Sequence, residues 1–358
     1  MQDWADDAYI GHKSGHLETS LRRAGFTEVA LAPPARTGPG ERRRMDLAVR
    51  RTRTGIVLGL HQHRSTAIAD LTTCLVSHPA LVALLPPLRA LLTLLRALRR
   101  EGSVIANLLD SGPDVLLRTD APLHLADRVA ISSFARDHNL PRIAWAQGNG
   151  EPEPIAILRP PTTLLSGVAV SPPPGAFLQA SAAGEAAIVA AVLAALPAKG
   201  RVAELFAGCG TITFPLARHT RVAAWEGDAA SASALRDAAN TAGLAGRIEV
   251  TRRDLTRQPL QAKELSGFVA VVLDPPFAGA AAQVAQIAAA RPRVVIYVSC
   301  NPATLSRDAR LLRQSGYRLT GATPIDQFLW SQRLESVCTF TPAPAARTGN
   351  CAMTASPS

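Results

Sequence analysis

Residues 171 to 342 predict a parallel, doubly wound α/β sheet, and residues 1 to about 170 predict a smaller α+β module ahead of it. Three observations carry this expectation. Short apolar runs at 201–206, 221–225, 247–250, 268–273 and 293–298 alternate with stretches of helical pattern, as buried strands joined by crossover helices do. The first run feeds AGCGT, a glycine turn that lets backbone pass close to a ligand at the carboxyl edge of such a sheet. With 358 residues, 47% of them hydrophobic, the chain is long enough for two cores and too apolar for disorder to be its main state.

The elements follow in order. Residues 9–25 place apolar side chains at helical spacing and stop at Gly25, which predicts an amphipathic helix. Residues 41–60 alternate apolar and charged residues as a half-exposed hairpin would. Seven arginines between 36 and 53 face only Glu41 and Asp46, so the stretch reads either as a solvated strand face or as a phosphate-contacting patch. LPPLRALLTLLRALRR predicts a helix over 85–100, followed by strands at 103–109 and 114–118 and a helix over 125–137. The Pro-, Gly- and Ser-rich stretch 151–175 marks tight turns or an interdomain crossing. An Ala-rich helix over 182–196 opens the second domain. After Pro342 the residues are mostly small and polar, and 343–358 are expected to be a disordered tail.

Charge and cysteines narrow the function classes. The 38 Lys and Arg against 28 Asp and Glu give +10, and all but Lys13, Lys199 and Lys263 of those cations are arginine. That excess favours a polyanionic partner, with nucleic acid first and a membrane surface second. Five cysteines (Cys74, Cys209, Cys300, Cys338 and Cys351) make no disulfide framework and suit a reducing compartment. Apolar stretches such as 81–98 are cut by Arg89 and Arg96 short of a membrane span, and a cytoplasmic location is expected.

The site-forming residues gather at predicted strand ends. VAELFAGCGTITF (202–214) runs from strand through a GxG turn into a helix, and twenty residues after Phe206 the next strand ends in Glu226, where a carboxylate can accept both ribose hydroxyls. The turn lacks a GxGxxG fingerprint and Glu204 precedes it, which favours S-adenosylmethionine (SAM) over a dinucleotide. A third strand ends in Asp274-Pro275-Pro276, a rigid extended turn aimed at the same cleft. The strand 293–298 leads to Cys300, Asn301 and Pro302, which puts a thiol at the cleft edge near a helix start, where a thiolate is useful. Arg307 and Asp308 read equally as a structural pair or as substrate-orienting groups.

SCNPATLSRD (299–308) is similar to the nucleophile motif of the uracil-carbon-5 RNA methyltransferase family, which makes 5-methyluridine in tRNA and 23S ribosomal RNA. The resemblance spans about 10 to 342 and implies a Rossmann-like class I SAM-dependent methyltransferase domain. It implies cofactor contacts at Gln179 in GAFLQAS, Phe206, Thr211, Glu226, Asp254 and Asp274, with Phe177 as an aromatic beside them. TPIDQFLWSQRLESV carries Asp326 and, at the family's general-base position, Glu335. The implied chemistry has Cys300 add to carbon 6 of uracil, the ring attack the SAM methyl from carbon 5, and Glu335 remove the carbon-5 proton. The target base must leave its stack, and Phe177 is placed to receive it.

Departures from the family pattern are equally specific. Its members often carry a small β-barrel and a Cys-Gly-Gly-Cys segment that, with a later cysteine, holds a 4Fe-4S cluster. Here the opening MQDWADDAYIGHK resembles the text after that segment, and Cys74 falls where the later ligand would be. One cysteine cannot hold a cluster. The expectation is a shortened start that leaves Cys74 an orphan ligand, or else a plain core thiol, and no metal. Phe277 stands where the family has Arg after Asp-Pro-Pro, and FLWSQRLE (328–335) replaces Phe-Pro-x-Thr-x-His-Val-Glu. The rival readings are an exocyclic-amine nucleic-acid methyltransferase suggested by Asp-Pro-Pro-Phe, a non-catalytic RNA-binding remnant, and a small-molecule methyltransferase.

Overall fold

The computed structural model describes residues 1–62 and 65–344. The tail expected to be disordered lies, from residue 345 onward, outside the described residues. Helix α1 (Asp6–Arg23) and the short strand β1 (Ala35–Arg36) come first. The small sheet is built from β2 (Arg44–Thr52), β3 (Gly55–His61), β4 (Ile68–Asp70), β5 (Glu101–Leu109), β6 (Gly112–Thr119), β7 (Arg142–Gln147) and β8 (Glu153–Ile157). Its order is β4-β3-β2-β5-β6-β7-β8, and α2 (Pro79–Val82), α3 (Leu85–Leu94) and α4 (Leu125–Asp137) accompany it. Leu47, Val49 and Leu58 from the strands meet Leu88, Leu92 and Ile131 from the helices in one core. Full burial of a side chain of that size is worth roughly 1.5–3 kcal/mol.

A hairpin, β9 (Thr163–Leu165) and β10 (Val168–Val170), precedes the large sheet. That sheet follows as α5 (Ala182–Ala194), β11 (Arg201–Leu205), α6 (Thr213–His219), β12 (Val222–Glu226), α7 (Ala229–Thr241), β13 (Ile248–Arg252), β14 (Phe268–Leu273), α8 (Ala281–Ala290), β15 (Val294–Ser299), α9 (Pro302–Gln314), β16 (Tyr317–Asp326) and β17 (Glu335–Pro342). Strand order is β1-β16-β17-β15-β14-β11-β12-β13. The five predicted strands are all present and mutually parallel. Their residues alternate between two cores: Ala203, Leu205, Val271, Val295 and Tyr297 face α1, α8 and α9, while Val202, Ala270, Val272, Ile296 and Val298 face α5, α6 and α7. Among the described residues no helix is long and apolar enough to cross a membrane.

The structure departs from the sequence expectations in four places. The sheet is mixed rather than purely parallel, because β17 runs antiparallel between β15 and β16. Helix α1 and β1 pack on this large sheet and not on the small one: Leu17, Leu21 and Phe26 sit in its core, and Ala35 and Arg36 pair with Ile325 and Asp326. A single module over 1–170 therefore misplaces its first 36 residues. Helix α3 stops at Leu94 instead of residue 100. The Arg51 guanidinium ends it by donating to the carbonyls of Leu92, Thr93, Leu95 and Leu98, acceptors a helix terminus leaves open.

That capping is part of the fourth difference. The arginine run is neither a solvated face nor a free phosphate patch. Arg43 bonds the Gln179 carbonyl and pairs with Glu185 on α5. Arg44 reaches Asn107 and the carbonyls of Gly175 and Ala176, and Arg50 pairs with Glu101. Arg43 and Arg44 thus tie the small sheet to the second domain and to the crossing segment, while Arg50 and Arg51 bond within the small sheet's own module. Arg142 does the same from β7: it holds Asp114 through two 2.8 Å bonds and also donates to the Pro172 carbonyl. Gly175, at φ +73°, lies so close to Leu116 that a Cβ there would approach it to 2.7 Å.

Candidate active site

The order of the large sheet reverses at β11, which has β12 on one side and β14 on the other, and ligands of such sheets bind outside the carboxyl ends at this reversal. Beyond β11 the chain turns through Phe206, a non-glycine residue at φ +63°, and then Gly208 and Gly210 at φ +56° and +105°. A Cβ on Gly210 would lie 2.5 Å from the Phe214 ring and 2.6 Å from Leu235, so only glycine fits there. Glu226, at the end of β12, accepts from the Gly208 amide through one oxygen and from the Asp228 amide through the other, each at 2.7 Å. The acid thus shapes the glycine turn, and each oxygen keeps a lone pair. Asp228 caps α7 through the Ser231 amide, and Asp254 accepts from the Thr256 amide at 3.0 Å. A cavity of about 780 Å³ opens here, lined by Phe177, Phe206, Gly208, Glu226, Asp254 and Asp274.

Two expected cofactor contacts lie differently. Thr211 is half-buried and does not line this cavity. Gln179 is buried, and its amide is engaged: Nε2 donates to Asp274 at 3.1 Å while Oε1 accepts from Gln327 at 2.8 Å. Phe177 is 68% exposed at the cavity edge, which makes it a free stacking surface rather than core.

On the other side of Asp274 lie Cys300 and Glu335. Ser299 on β15 pairs with Ser336 on β17, so one antiparallel step further Cys300 stands opposite Glu335. Gln327 completes the arrangement by donating to Glu335 Oε2 at 2.9 Å and accepting from the Ala180 amide at 3.0 Å. Asp274, Gln179, Gln327 and Glu335 form one buried chain of hydrogen bonds, and Glu335 Oε1 is left without a partner. Burial pushes the Asp274 carboxyl up to about 7, and burial together with the Asp274 charge holds Glu335 well above the usual carboxylate range. Burial and the charges of Glu335 and Asp274 push the Cys300 thiol up to about 11, with Arg333 acting in the opposite direction.

The loop that carries Glu335 is anchored from the far end of the chain. Tyr9 and Lys13 on α1 both donate to the buried Asp326, Lys13 at 2.9 Å, and Lys13 also reaches the carbonyls of Phe328 and Arg333. The Trp330 amide donates to Tyr9 Oη at 2.8 Å, which holds Trp330 at φ +59°. Asp308 is structural: it accepts from Tyr297 Oη at 2.7 Å and the Ala280 amide at 2.8 Å and pairs with Arg307. Gln327, Lys13 and Tyr9 escaped sequence reading. An amide carries no motif weight, but one of only three lysines in an arginine-rich chain was a signal.

Comparison with known proteins puts this geometry in a family. The family profile described as tRNA (Uracil-5-)-methyltransferase matches residues 172–341. An uncharacterized RNA methyltransferase of Brucella melitensis is 38% identical over 342 residues, which cover 95% of this chain and 81% of the relative. The 23S rRNA (uracil(1939)-C(5))-methyltransferase RlmD of Edwardsiella ictaluri is 38% identical over 338 residues, covering 92% of this chain and 75% of that one. The crystal structure of Pyrococcus abyssi tRNA (uracil-54, C5)-methyltransferase in complex with S-adenosyl-L-homocysteine shares the fold, with a TM-score of 0.70 at 19% identity over 95% of this chain and 84% of that one.

Proposed function

The chain belongs to the tRNA (uracil-5-)-methyltransferase family of SAM-dependent RNA uracil-C5 methyltransferases, and from that premise we propose that it forms 5-methyluridine in 23S rRNA through a covalent Cys300–uracil adduct. The observation that carries the reading is the placement of Cys300 opposite Glu335 beside a cavity edged by Glu226, Asp254 and Asp274. A ribosomal target is supported by the 38% identity to an enzyme of 23S rRNA, and a ribosomal substrate puts the reaction in the cytoplasm.

The residues present fit SAM. Glu226 would offer a lone pair from each oxygen to a ribose, and Asp254 and Phe206 line the same cavity and would hold the rest of the nucleoside. Bound there, SAM supplies an electrophilic methyl group on a sulfonium. Gln179 supports the site indirectly, by fixing Asp274. The residues do not fit a 4Fe-4S cluster. Cys74 is half-buried, Cys209 and Cys338 are buried in the large sheet, and among the described residues no group of three or more His, Cys, Asp or Glu can hold a metal ion.

Phe177 offers an exposed ring for the extruded base. The Cys300 thiolate adds to carbon 6 of uracil, and the C5=C6 electron pair moves into the carbon-4 carbonyl as an enolate. SAM held beside Glu226, Asp254 and Phe206 would supply the methyl group that carbon 5 takes, the leaving sulfur keeping the C–S electron pair. Glu335 removes the carbon-5 proton through its unpartnered Oε1, the C5=C6 bond re-forms, and the sulfur of Cys300 leaves as thiolate. The exocyclic-amine alternative leaves the Cys300–Glu335 juxtaposition without a use.

The test is a covalent trap. Protein, SAM and 23S rRNA transcribed with 5-fluorouracil are resolved on a denaturing gel beside Cys300→Ala. Fluorine cannot leave as a proton does, so a SAM-dependent shifted band that is lost in Cys300→Ala is expected. Absence of the band in the parent, with SAM binding intact, refutes the mechanism.

A further inference from the structure

Arg42 is the exception in the arginine run. Arg43, Arg44, Arg50 and Arg51 end on carboxylates, an amide or carbonyls of the protein, whereas Arg42, equally half-buried, commits only Nε, to the Arg44 carbonyl at 2.9 Å. Among the described residues its two terminal nitrogens have no acceptor and it pairs with no carboxylate. Its backbone is fixed as well: the amide donates to the Val76 carbonyl at 2.9 Å, and the carbonyl accepts from the His78 amide at 2.8 Å. Taking a cation partly out of water is costly unless it is paired, so a pinned guanidinium with open donors points to an anion from outside the chain.

Arg42 lines a second cavity, of about 490 Å³, whose wall also holds Arg333, Phe328, Cys74 and Gln327. The Arg42 guanidinium carbon lies 6.0 Å from the Phe328 ring centroid. Arg333, on the loop before β17, rests its guanidinium carbon 5.4 Å from the Phe277 ring centroid, and among the described residues its side chain makes no hydrogen bond or ion pair. Lys13 fixes that loop through the carbonyls of Phe328 and Arg333. Asp46 also reaches the wall, but its carboxylate is mostly exposed and leans to Arg44 at 3.9 Å. Gln327 joins the cavity to the catalytic centre, since it lines the one and donates to Glu335 of the other at 2.9 Å.

We propose that this cavity is a phosphate site, in which Arg42 and Arg333 grip one backbone phosphate of the RNA beside the extruded uridine. The proposal rests on the chain acting on uridine in RNA. Two guanidinium groups on fixed backbone supply forked N–H donors and two positive charges, the combination that suits phosphate oxygens. Only Gln327 stands between that phosphate and Glu335, to which the uracil must be brought. A phosphate contact positions the strand without reading its sequence, so the site sets where the RNA lies and not which base it carries.

Cys74, on the wall of the same cavity, reports its occupancy. The full chain is labelled with N-ethylmaleimide alone, with a 23S rRNA transcript, or with millimolar inorganic phosphate, and each cysteine is followed by peptide mass spectrometry. The transcript is expected to protect Cys74 together with Cys300. Protection of Cys300 without Cys74 overturns the proposal and leaves the uridine reading standing; protection of neither, with no fluorouracil adduct, sinks both. Protection of Cys74 by inorganic phosphate but not by the transcript makes it a free-anion site and overturns the RNA assignment. Arg42→Gln and Arg333→Gln are each expected to weaken transcript binding roughly tenfold at fixed salt and to flatten the slope of log K against log salt by about 0.7 to 1. The double variant should lose less than the two single losses combined, because one phosphate is shared. Arg333 is exposed, so Arg333→Gln puts no core at risk, and a parental slope in that variant overturns the proposal even if Arg42→Gln fails to fold.

Discussion

Lys13→Met tests the clamp that holds the catalytic loop. Lys13 is nearly sealed from solvent, and its ammonium makes three bonds: 2.9 Å to Asp326, 3.2 Å to the Phe328 carbonyl and a third to the Arg333 carbonyl. Methionine has similar length and supplies none of them. Asp326 keeps Tyr9 but loses its counter-charge, and removing one partner of a buried pair costs about 3–5 kcal/mol. With Tyr9 in place the lower figure applies. At ~2.1 cal/mol/K per residue, unfolding a chain of this length carries roughly 0.7 kcal/mol/K of entropy, so Tm should fall by about 4 °C. Circular dichroism melts at pH 7.5 read this directly. Lys13→Met combined with Asp326→Asn should regain part of the loss, because the orphan charge is gone. A Tm within 1 °C of the parent, or a double variant as unstable as the two single losses added, would refute the reasoning.

Glu335→Gln keeps the bond from Gln327 but cannot take the carbon-5 proton, so a SAM-dependent adduct should build up on ordinary uridine RNA in a denaturing gel; turnover at the parent rate excludes the base role. The Asp274 carboxyl titrates near 7 in the fold against about 3.8 in the unfolded chain, so the folded state binds that proton more tightly and stability falls as pH rises from 4 to 7. Asp274→Asn should therefore gain in Tm over the parent as melts move from pH 5 to pH 8, and a constant difference contradicts the burial argument. Gly210→Ala drives a methyl group into Phe214 and Leu235 at a positive φ, and should cost roughly 1–3 kcal/mol in denaturant unfolding with weakened SAM binding by calorimetry.

The five parallel strands and the acids at their ends were legible because each rests on local signals: an apolar run, a glycine turn, a carboxylate at a fixed distance. Cys300 was legible as a thiol at a strand end, but Glu335 and its pairing with Cys300 were legible only through family resemblance, since nothing within thirty residues of either says that β17 inserts antiparallel beside β15. The arginine run misled for a related reason. Side chains that donate to carbonyls of α3 or of the crossing segment look the same in sequence as side chains free for phosphate, because their acceptors are backbone groups up to 136 residues away. Gln327 was invisible on the same ground: its partners Gln179 and Ala180 are almost 150 positions earlier.

The union of α1 with Asp326 also has a consequence on the ribosome. Tyr9 and its acceptor are 317 positions apart, and synthesis at ~5–20 residues per second separates their appearance by roughly 15–60 s. Throughout that interval Leu17 and Leu21 have no core to enter, since α9 and β16, against which α1 packs, are made some 300 positions later. Helix α1 is thus seated late, and the loop bearing Glu335 takes its working shape only when these two distant segments of the nascent chain meet.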